Sequence, residues 1–443
     1  MKTVGVREES RVFFSIFHFF KSEVFGGVIV LFAALLGIVL ANSPFKDLYF
    51  GILETKLSLS FGEFVFSKTL LHWINEGLMM IFFLTVGLEI KREILVGELA
   101  SVKKSILPSL AALGGVLFPV LIYSFFNFGK DSFRGWGIPM ATDIAFTIAV
   151  MMLFGKLISH ASKVNITALA IVDDIMALLV IAFFYSKGVK IEYVLISLGV
   201  LALIMIMNRL GLRFTILYFI FGLVLWVLLL NSNIHATISG VLLAFVIPST
   251  TKGKNTVKDI KQISHYLEKI AENASKGKIL GETKPDFQDA KIKLKSIEPP
   301  LQRFETALSP WVSFLVLPLF ALANSGVYIG EFTFQDLTHP VLLGIALGLA
   351  LGKSTGIFLF SYFSVKLGIA EISQKVSWKE FYGVAWFAGI GFTMALFIAH
   401  LSFDSMPHYL DLAKVGIYIG SFLSVVVGAL VLLLGKKFTK VQV

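Results

Sequence analysis

The sequence predicts an all-α polytopic membrane protein with about twelve transmembrane helices. Three observations predict it. The 443 residues are 56% hydrophobic and include 43 Phe, a composition foreign to soluble domains. Apolar runs long enough to span a bilayer recur along the whole chain. Positive charge is uneven: roughly 30 of the 39 Lys and Arg fall in alternate loops and the two termini.

The predicted spans are 23–41, 69–90, 104–126, 137–155, 164–185, 191–208, 213–230, 233–249, 306–328, 339–365, 380–402 and 412–435. Their even number and the charge asymmetry place both termini in the cytoplasm. Residues 1–22 are basic (Lys2, Arg7, Arg11, Lys21) and carry no small-residue cleavage site before the first apolar run. They read as a retained cytoplasmic segment. Residues 23–435 form the membrane domain, and 436–443 a cytoplasmic tail. The chain has no Cys, which excludes disulfides and thiolate metal sites. A net charge of +10 raises nucleic acid as a partner, but the charges lie between apolar runs and exclude it.

Two segments stand outside the spans. Residues 42–68 alternate apolar and polar side chains (Leu57-Ser-Leu-Ser-Phe61), which predicts a short external hairpin. It reads as a surface cover or a dimer contact. The insert at 250–304 is rich in Lys, Glu and Ser. Within it Ile260, Ile263, Leu267 and Ile270 recur at helical spacing and predict a short amphipathic helix.

The fourth and eleventh spans are interrupted. Gly135, Gly137 and Pro139 precede Ala141-Thr142-Asp143, and Gly389-Ile-Gly391-Phe-Thr393 lies at mid-span. Broken membrane helices line cavities or are buried in protein. The segments 141–147 and 391–397 are faintly alike. Breaks at matching places predict inverted repeats, spans 3–5 and 10–12, with two broken, crossing helices and a site at the bilayer midplane.

Four ionisable residues lie deep in apolar runs: Asp143, Asp173, Asp174 and Lys353. One such charge costs roughly 2.5–3.5 kcal/mol on insertion scales. Adjacent carboxylates cost more unless one holds a proton or a cation sits between them. Asp173 and Asp174 point about 100° apart on a helix, so one can line a cavity while the other pairs with a cation. Lys353 is the candidate for that role. It lies in a stripe of Gly344, Gly348, Gly352 and Gly356, which lets helices approach closely. A carboxylate at Asp143 offsets half-helix dipoles, and Thr142 offers oxygen to a hard cation. Such a site binds Na⁺ and H⁺ in competition.

The chain resembles the bacterial sodium/proton antiporters of the NhaA type. The resemblance rests on Trp73-Ile-Asn-Glu-Gly-Leu-Met79, Phe82-Phe-Leu-Thr-Val-Gly-Leu-Glu-Ile-Lys-Arg-Glu93, Gly137-Ile-Pro-Met-Ala-Thr-Asp-Ile-Ala-Phe146 and Ala170-Ile-Val-Asp-Asp174. His235-Ala-Thr237, Leu317-Pro-Leu-Phe-Ala-Leu-Ala-Asn324, Leu351-Gly-Lys353 and Gly389-Ile-Gly-Phe-Thr-Met394 continue it in order. It implies electrogenic, pH-regulated exchange of Na⁺ or Li⁺ for H⁺, with no cofactor and no enzymatic reaction. It implies cation and proton binding at Asp173 and Asp174, the latter the more essential. It assigns Lys353 as the partner of Asp173, and Asp143 with Thr142 to the helix crossing. It implies pH regulation through Glu89, Arg92, Glu93 and Glu305, with His235 linked to the response. A homodimer in membrane lipid is the assembly it allows.

The chain departs from the family pattern at Glu76, where the motif has Asp, and at Thr306 and Ser309, where it has His. The 250–304 insert is longer than the family's. A proton-coupled symporter is the alternative. An intramembrane aspartyl protease also needs paired carboxylates, but its Gly-x-Gly-Asp signature is missing. No His is followed by Glu, so a His-Glu-x-x-His zinc site is excluded as well.

Overall fold

Where apolar side chains run on without polar relief, only backbone bonding within a segment satisfies the N–H and C=O groups, and helix results. The computed structural model is accordingly mostly helical. It describes residues 23–61, 64–155, 157–186, 188–212, 214–250, 256–275, 288–291, 298–373 and 376–439. The predicted cytoplasmic segment 1–22, the end of the tail and much of the 250–304 insert lie outside these residues.

The helices are α1 Glu23–Ala41, α2 Lys46–Glu54, α3 Met79–Val96, α4 Val102–Asn127, α5 Ile144–Leu153, α6 His160–Phe184, α7 Ile191–Arg209, α8 Thr215–Asn231 and α9 Ile238–Val246. They continue with α10 Thr256–Ser275, α11 Pro300–Trp311, α12 Leu317–Asn324, α13 Pro340–Leu347, α14 Ser354–Lys366, α15 Trp378–Phe387, α16 Phe392–Phe403 and α17 Pro407–Thr439. Among the described residues, six helices are long and apolar enough to cross a bilayer, or nine spans if each sharply bent pair counts as one. The sequence reading expects twelve.

The 42–68 segment contains the helix α2 and then two strands, Lys56–Phe61 (β1) and Phe64–Thr69 (β2), paired antiparallel with Lys56 opposite Thr69. The sequence reading anticipated the hairpin and not α2. Helix α3 runs to Val96, beyond the predicted end of its span at 90. Hydropathy falls where the charges begin, but charged residues do not stop a helix. Gly97 does, its N–H bonded back to the Glu93 carbonyl. The predicted amphipathic helix lies within α10. Ile263 is buried, but Ile260 and Leu267 are exposed, so its apolar face is only partly covered.

The chain divides into two compact units. The first comprises residues 1–82, 93–188 and 311–443. Its centre is the contact of α4 with α13 and α14, made backbone to backbone. A Cβ on Gly356 would lie 2.1 Å from the Gly114 carbonyl oxygen, and one on Gly352 would lie 2.8 Å from Pro119 Cα. Small residues are thus a geometric requirement of this contact. Between α13 and α14, Gly348–Lys353 forms a π-helical turn, which rotates the side chains of α14 away from the positions a regular α-helix would give them.

The second unit comprises residues 83–92 and 189–310. Leu201, Leu225 and Leu229 of α7 and α8 form its core, with Ile234, Leu242 and Val246 packed against them. Lys91 Nζ lies against the carbonyls of Phe245, at 2.7 Å, and Ile247. A cation so placed satisfies carbonyls left open at the C-terminus of α9.

Candidate functional site

The site lies wholly in the first unit, where two interrupted stretches meet. A 3₁₀ segment, Asp131–Met140, and α5 flank the break at 141–143, bent by 44°. Helices α15 and α16 flank the break at 388–391, bent by 48°. Asp143 N donates to the Ile390 carbonyl at 2.7 Å, and Thr147 Oγ1 to the Phe387 carbonyl at 3.0 Å. Glycine is needed at the second break. A Cβ on Gly389 would lie 2.4 Å from the Leu349 carbonyl oxygen, and one on Gly391 would lie 2.9 Å from that of Ala141.

Each break leaves a helix N-terminus with unpaired N–H groups and partial positive charge. Asp143 serves both. Its Oδ1 accepts from Phe146 N at 3.0 Å and caps α5. Its Oδ2 accepts from Thr393 N at 3.1 Å, in the first turn of α16, and from the Thr393 hydroxyl. One buried carboxylate thus faces two positive helix ends, which is how the fold tolerates it without a cationic side chain.

The opposite polarity appears beside it. Lys353, fully buried at the end of the π turn, donates to the Met140 carbonyl at the C-terminal end of the 3₁₀ segment. It also donates to Asp173 Oδ2 in a buried ion pair. Thr142 Oγ1 lies 2.6 Å from the same Asp173 oxygen and 2.9 Å from the Ala388 carbonyl, and its single proton serves one acceptor at a time. The other carboxylate oxygen, Asp173 Oδ1, is buried with no hydrogen-bond donor among the described residues. Asp174, 3% exposed, follows on α6 and acts electrostatically on Lys353.

Chemically, the cluster holds two adjacent carboxylates against one ammonium, with the Thr142 hydroxyl and the break-region carbonyls close by. With both carboxylates ionised it carries an excess negative charge in a low-dielectric interior, so it attracts a proton or a small hard cation. Among the described residues no group of three or more His, Cys, Asp or Glu is arranged to hold a metal ion. The cluster's donors are oxygens, which suit a hard cation.

The structure therefore brings Asp143, Thr142, Asp173, Asp174, Lys353, Gly389 and Gly391 into one region. Three of the residues assigned to pH regulation meet one another. In the second unit Arg92 pairs with Glu305 at 3.1 Å and approaches Glu89 at 3.9 Å. Glu93, in the first unit, accepts from Glu98 N at 2.9 Å. His235 sits just before the N-terminus of α9, while Lys91, next to Arg92, meets the other end of that helix. Nine helical residues separate those ends, about 13 Å.

Sequence reasoning missed three buried groups. Thr393 is a direct partner of Asp143. Its signal was the faint likeness of the two interrupted segments, which sets a second threonine against the first break. Glu76 is buried within a π turn, Trp73–Leu78. Lys414 of α17 is buried too, donating to the Gly326 carbonyl at 2.9 Å, with Asp411 3.7 Å away. Lys414 lies at the start of its predicted span, where a charge reads as a boundary.

Residues 17–432 match the family model described as Na+/H+ antiporter 1. A protein of Oleidesulfovibrio alaskensis named Na(+)/H(+) antiporter NhaA is 42% identical over 410 residues, 92% of this chain and 90% of that protein. One of the same name from Helicobacter pylori strain 26695 is 41% identical over 429 residues, 96% of this chain and 97% of its own length. Among solved structures, the sodium proton antiporter MjNhaP1 from Methanocaldococcus jannaschii at pH 8 aligns with 95% of this chain and 96% of its own. Its TM-score is 0.45 and its identity 13%. The family match over residues 17–432 and the two relatives above 40% identity show that the chain belongs to the Na+/H+ antiporter 1 family.

Proposed function

We propose that the protein is an electrogenic antiporter of the bacterial inner membrane that exports Na⁺ or Li⁺ in exchange for a larger number of protons. The observation that carries this reading is the buried Asp173–Lys353 pair with its undonated Asp173 Oδ1 beside Asp174. Na⁺, protons and the Lys353 ammonium compete there for the same carboxylate oxygens. A proton neutralises the pair and weakens its hold on Na⁺. Loss of the proton restores the charge and recruits the cation.

In this reading the two bent stretches are broken, crossing transmembrane helices of inverted repeats, in a twelve-span protein with both termini cytoplasmic. Rocking of one repeat against the other opens the site to alternate sides. Asp143 and the carbonyl ends of the half-helices keep the crossing electrostatically balanced as it moves. Glu89, Arg92, Glu93, Glu305 and His235 set the pH at which exchange begins. The protein works as a homodimer.

The test uses inside-out vesicles carrying the protein, with a pH-sensitive dye reporting a respiration-driven proton gradient. Na⁺, Li⁺ and K⁺ are added separately across a range of pH. Collapse of the gradient by Na⁺ or Li⁺ in wild type, and its loss in a normally inserted Asp174→Asn protein, is the expected result. Wild-type collapse in that variant would remove Asp174 from the site. No collapse with any cation would overturn the exchange reading.

A further inference from the structure

One carboxylate between two helix N-termini, the arrangement at Asp143, recurs at the other end of α15. Ser377 caps that helix, its Oγ accepting from Glu380 N at 3.2 Å. Ser377-x-x-Glu380 has the spacing of a capping box, in which the glutamate ordinarily turns back on its own N-cap. Glu380 Oε1 instead reaches the start of α6, accepting from Ser159 N at 2.7 Å and from Ser162 Oγ at 2.6 Å. Ser159 is itself the N-cap of α6, its Oγ accepting from Ser162 N at 3.2 Å. From the first turn of one helix, Glu380 thus satisfies donors at the start of another, where both positive ends favour its charge.

Clasped at their starts, α6 and α15 meet again at the exchange site. From Ser162 to Asp173 is about 16 Å along α6, and from Glu380 to Ala388 about 12 Å along α15. Thr142 Oγ1 lies between the two arrival points, 2.6 Å from Asp173 Oδ2 and 2.9 Å from the Ala388 carbonyl. The clasp, α6, Thr142 and α15 therefore form a closed frame. Helix α6 has neither Gly nor Pro between His160 and Phe184, so it has no kink point inside that frame. A shift of α6 along α15 at the clasp is carried to the site. There it parts Thr142 from one of its two partners and moves the undonated Asp173 Oδ1.

We infer that Glu380 is a positioning residue of the exchange site: its clasp on Ser159 and Ser162 sets the level of Asp173 against the Ala388 carbonyl, and so the strength of cation binding. The role rests on the exchange reading, which supplies the cation. Both donors to Glu380 are neutral groups that need an acceptor at one point in space. Glutamine keeps an acceptor oxygen there and alanine does not.

The test is Na⁺ titration of exchange in inside-out vesicles, together with thermal unfolding of the same full-length proteins in detergent over a series of Na⁺ concentrations. Glu380→Ala is expected to raise the Na⁺ concentration for half-maximal exchange about tenfold, with the maximal rate near that of wild type. The Na⁺ needed to raise its unfolding temperature should increase in step, because a bound cation stabilises the fold that holds it. Glu380→Gln should return both to within about twofold of wild type. Ser162→Ala removes one of the two bonds and should raise the half-maximal concentration about threefold; it decides the matter where Glu380→Ala does not insert. An unchanged half-maximal concentration in the inserted variants, with only the unfolding temperature lowered, would reduce the clasp to a helix cap and overturn the inference. So would a Glu380→Gln protein as impaired as Glu380→Ala. No exchange in wild type, with Na⁺ stabilisation still weakened by Glu380→Ala, would overturn the exchange reading and leave the positioning role standing. Neither exchange nor Na⁺ stabilisation in wild type would overturn both.

Discussion

Thr393 donates both its backbone N–H and its hydroxyl to one oxygen of Asp143, across 250 positions of sequence. The contact ties the first turn of α16 to the N-cap of α5, and adds to the bonds from Asp143 N, Thr142 and Thr147 that join the two breaks. A hydrogen bond to a buried charged group is worth roughly 1.5–3 kcal/mol. Thr393→Val removes the hydroxyl and keeps the shape. It is expected to slow exchange about tenfold or more, while Thr393→Ser retains the donor and most of the rate. Dye-reported exchange in vesicles at matched protein level measures both. Equal rates in Thr393→Val and wild type would show that the breaks stay joined without the hydroxyl.

The Asp173–Lys353 pair is expected to be costly to break from one side. Lys353→Met leaves a buried carboxylate without its cation, a change of roughly 3–5 kcal/mol, and should lower the thermal unfolding temperature clearly. Asp173→Asn/Lys353→Met removes both charges and should recover most of that stability while exchange stays lost. Thermal unfolding in detergent and exchange in vesicles, run on the same three proteins, separate the structural share of the pair from its functional share. Recovery of exchange in the double variant would exclude a direct role for either residue.

Gly356 and Gly114 press backbone against backbone, so any side chain must part α4 from α14. Gly356→Leu is expected to destabilise by more than about 3 kcal/mol or to prevent folding, since the opposing atoms cannot give way. Gly51 has nothing within 4 Å of the position its Cβ would take, and Gly51→Ala should cost nothing. Yield and unfolding temperature of the two proteins check the contrast.

Arg92 and Glu305 form a partly exposed pair, with side chains 42% and 22% accessible. Such a pair contributes only about 1 kcal/mol or less. Arg92→Gln and Glu305→Gln should therefore leave the unfolding temperature nearly unchanged. If the pair sets the onset of exchange, both should displace its pH profile in the same direction. Wild-type profiles in both variants would leave the pair a structural tie.

Proton and cation competition has its own signature. Because protonation of the carboxylates removes the charge that binds Na⁺, the Na⁺ concentration for half-maximal exchange should rise as pH falls, close to tenfold per pH unit where one proton competes. Titration of exchange at a series of pH values measures the slope. A concentration independent of pH would mean that proton and cation occupy separate sites.

Much of this protein was legible in its sequence because the relevant physics is local. Bilayer-length apolar runs dictate helices, and four charges inside them name the costly positions without any partner in view. The paired carboxylates, the interrupting glycines and the Gly344–Gly356 stripe could all be read directly. Family motifs spread along the chain supplied the activity. What a linear pattern cannot carry is which distant atoms meet. The π turn at 348–353 aims Lys353 at Asp173, and helical periodicity assumes that such turns do not occur. Thr393 looks like any threonine of an apolar helix until α16 begins beside Asp143. The sequence by itself determined that charge would be buried in a membrane and named Asp143, Asp173, Asp174 and Lys353, though not Lys414, among the groups that carry it. The tertiary structure alone decided how that charge is balanced, because the balancing groups are helix ends and side chains up to 250 residues apart, brought together only when α4 closes on α14 and the two breaks meet.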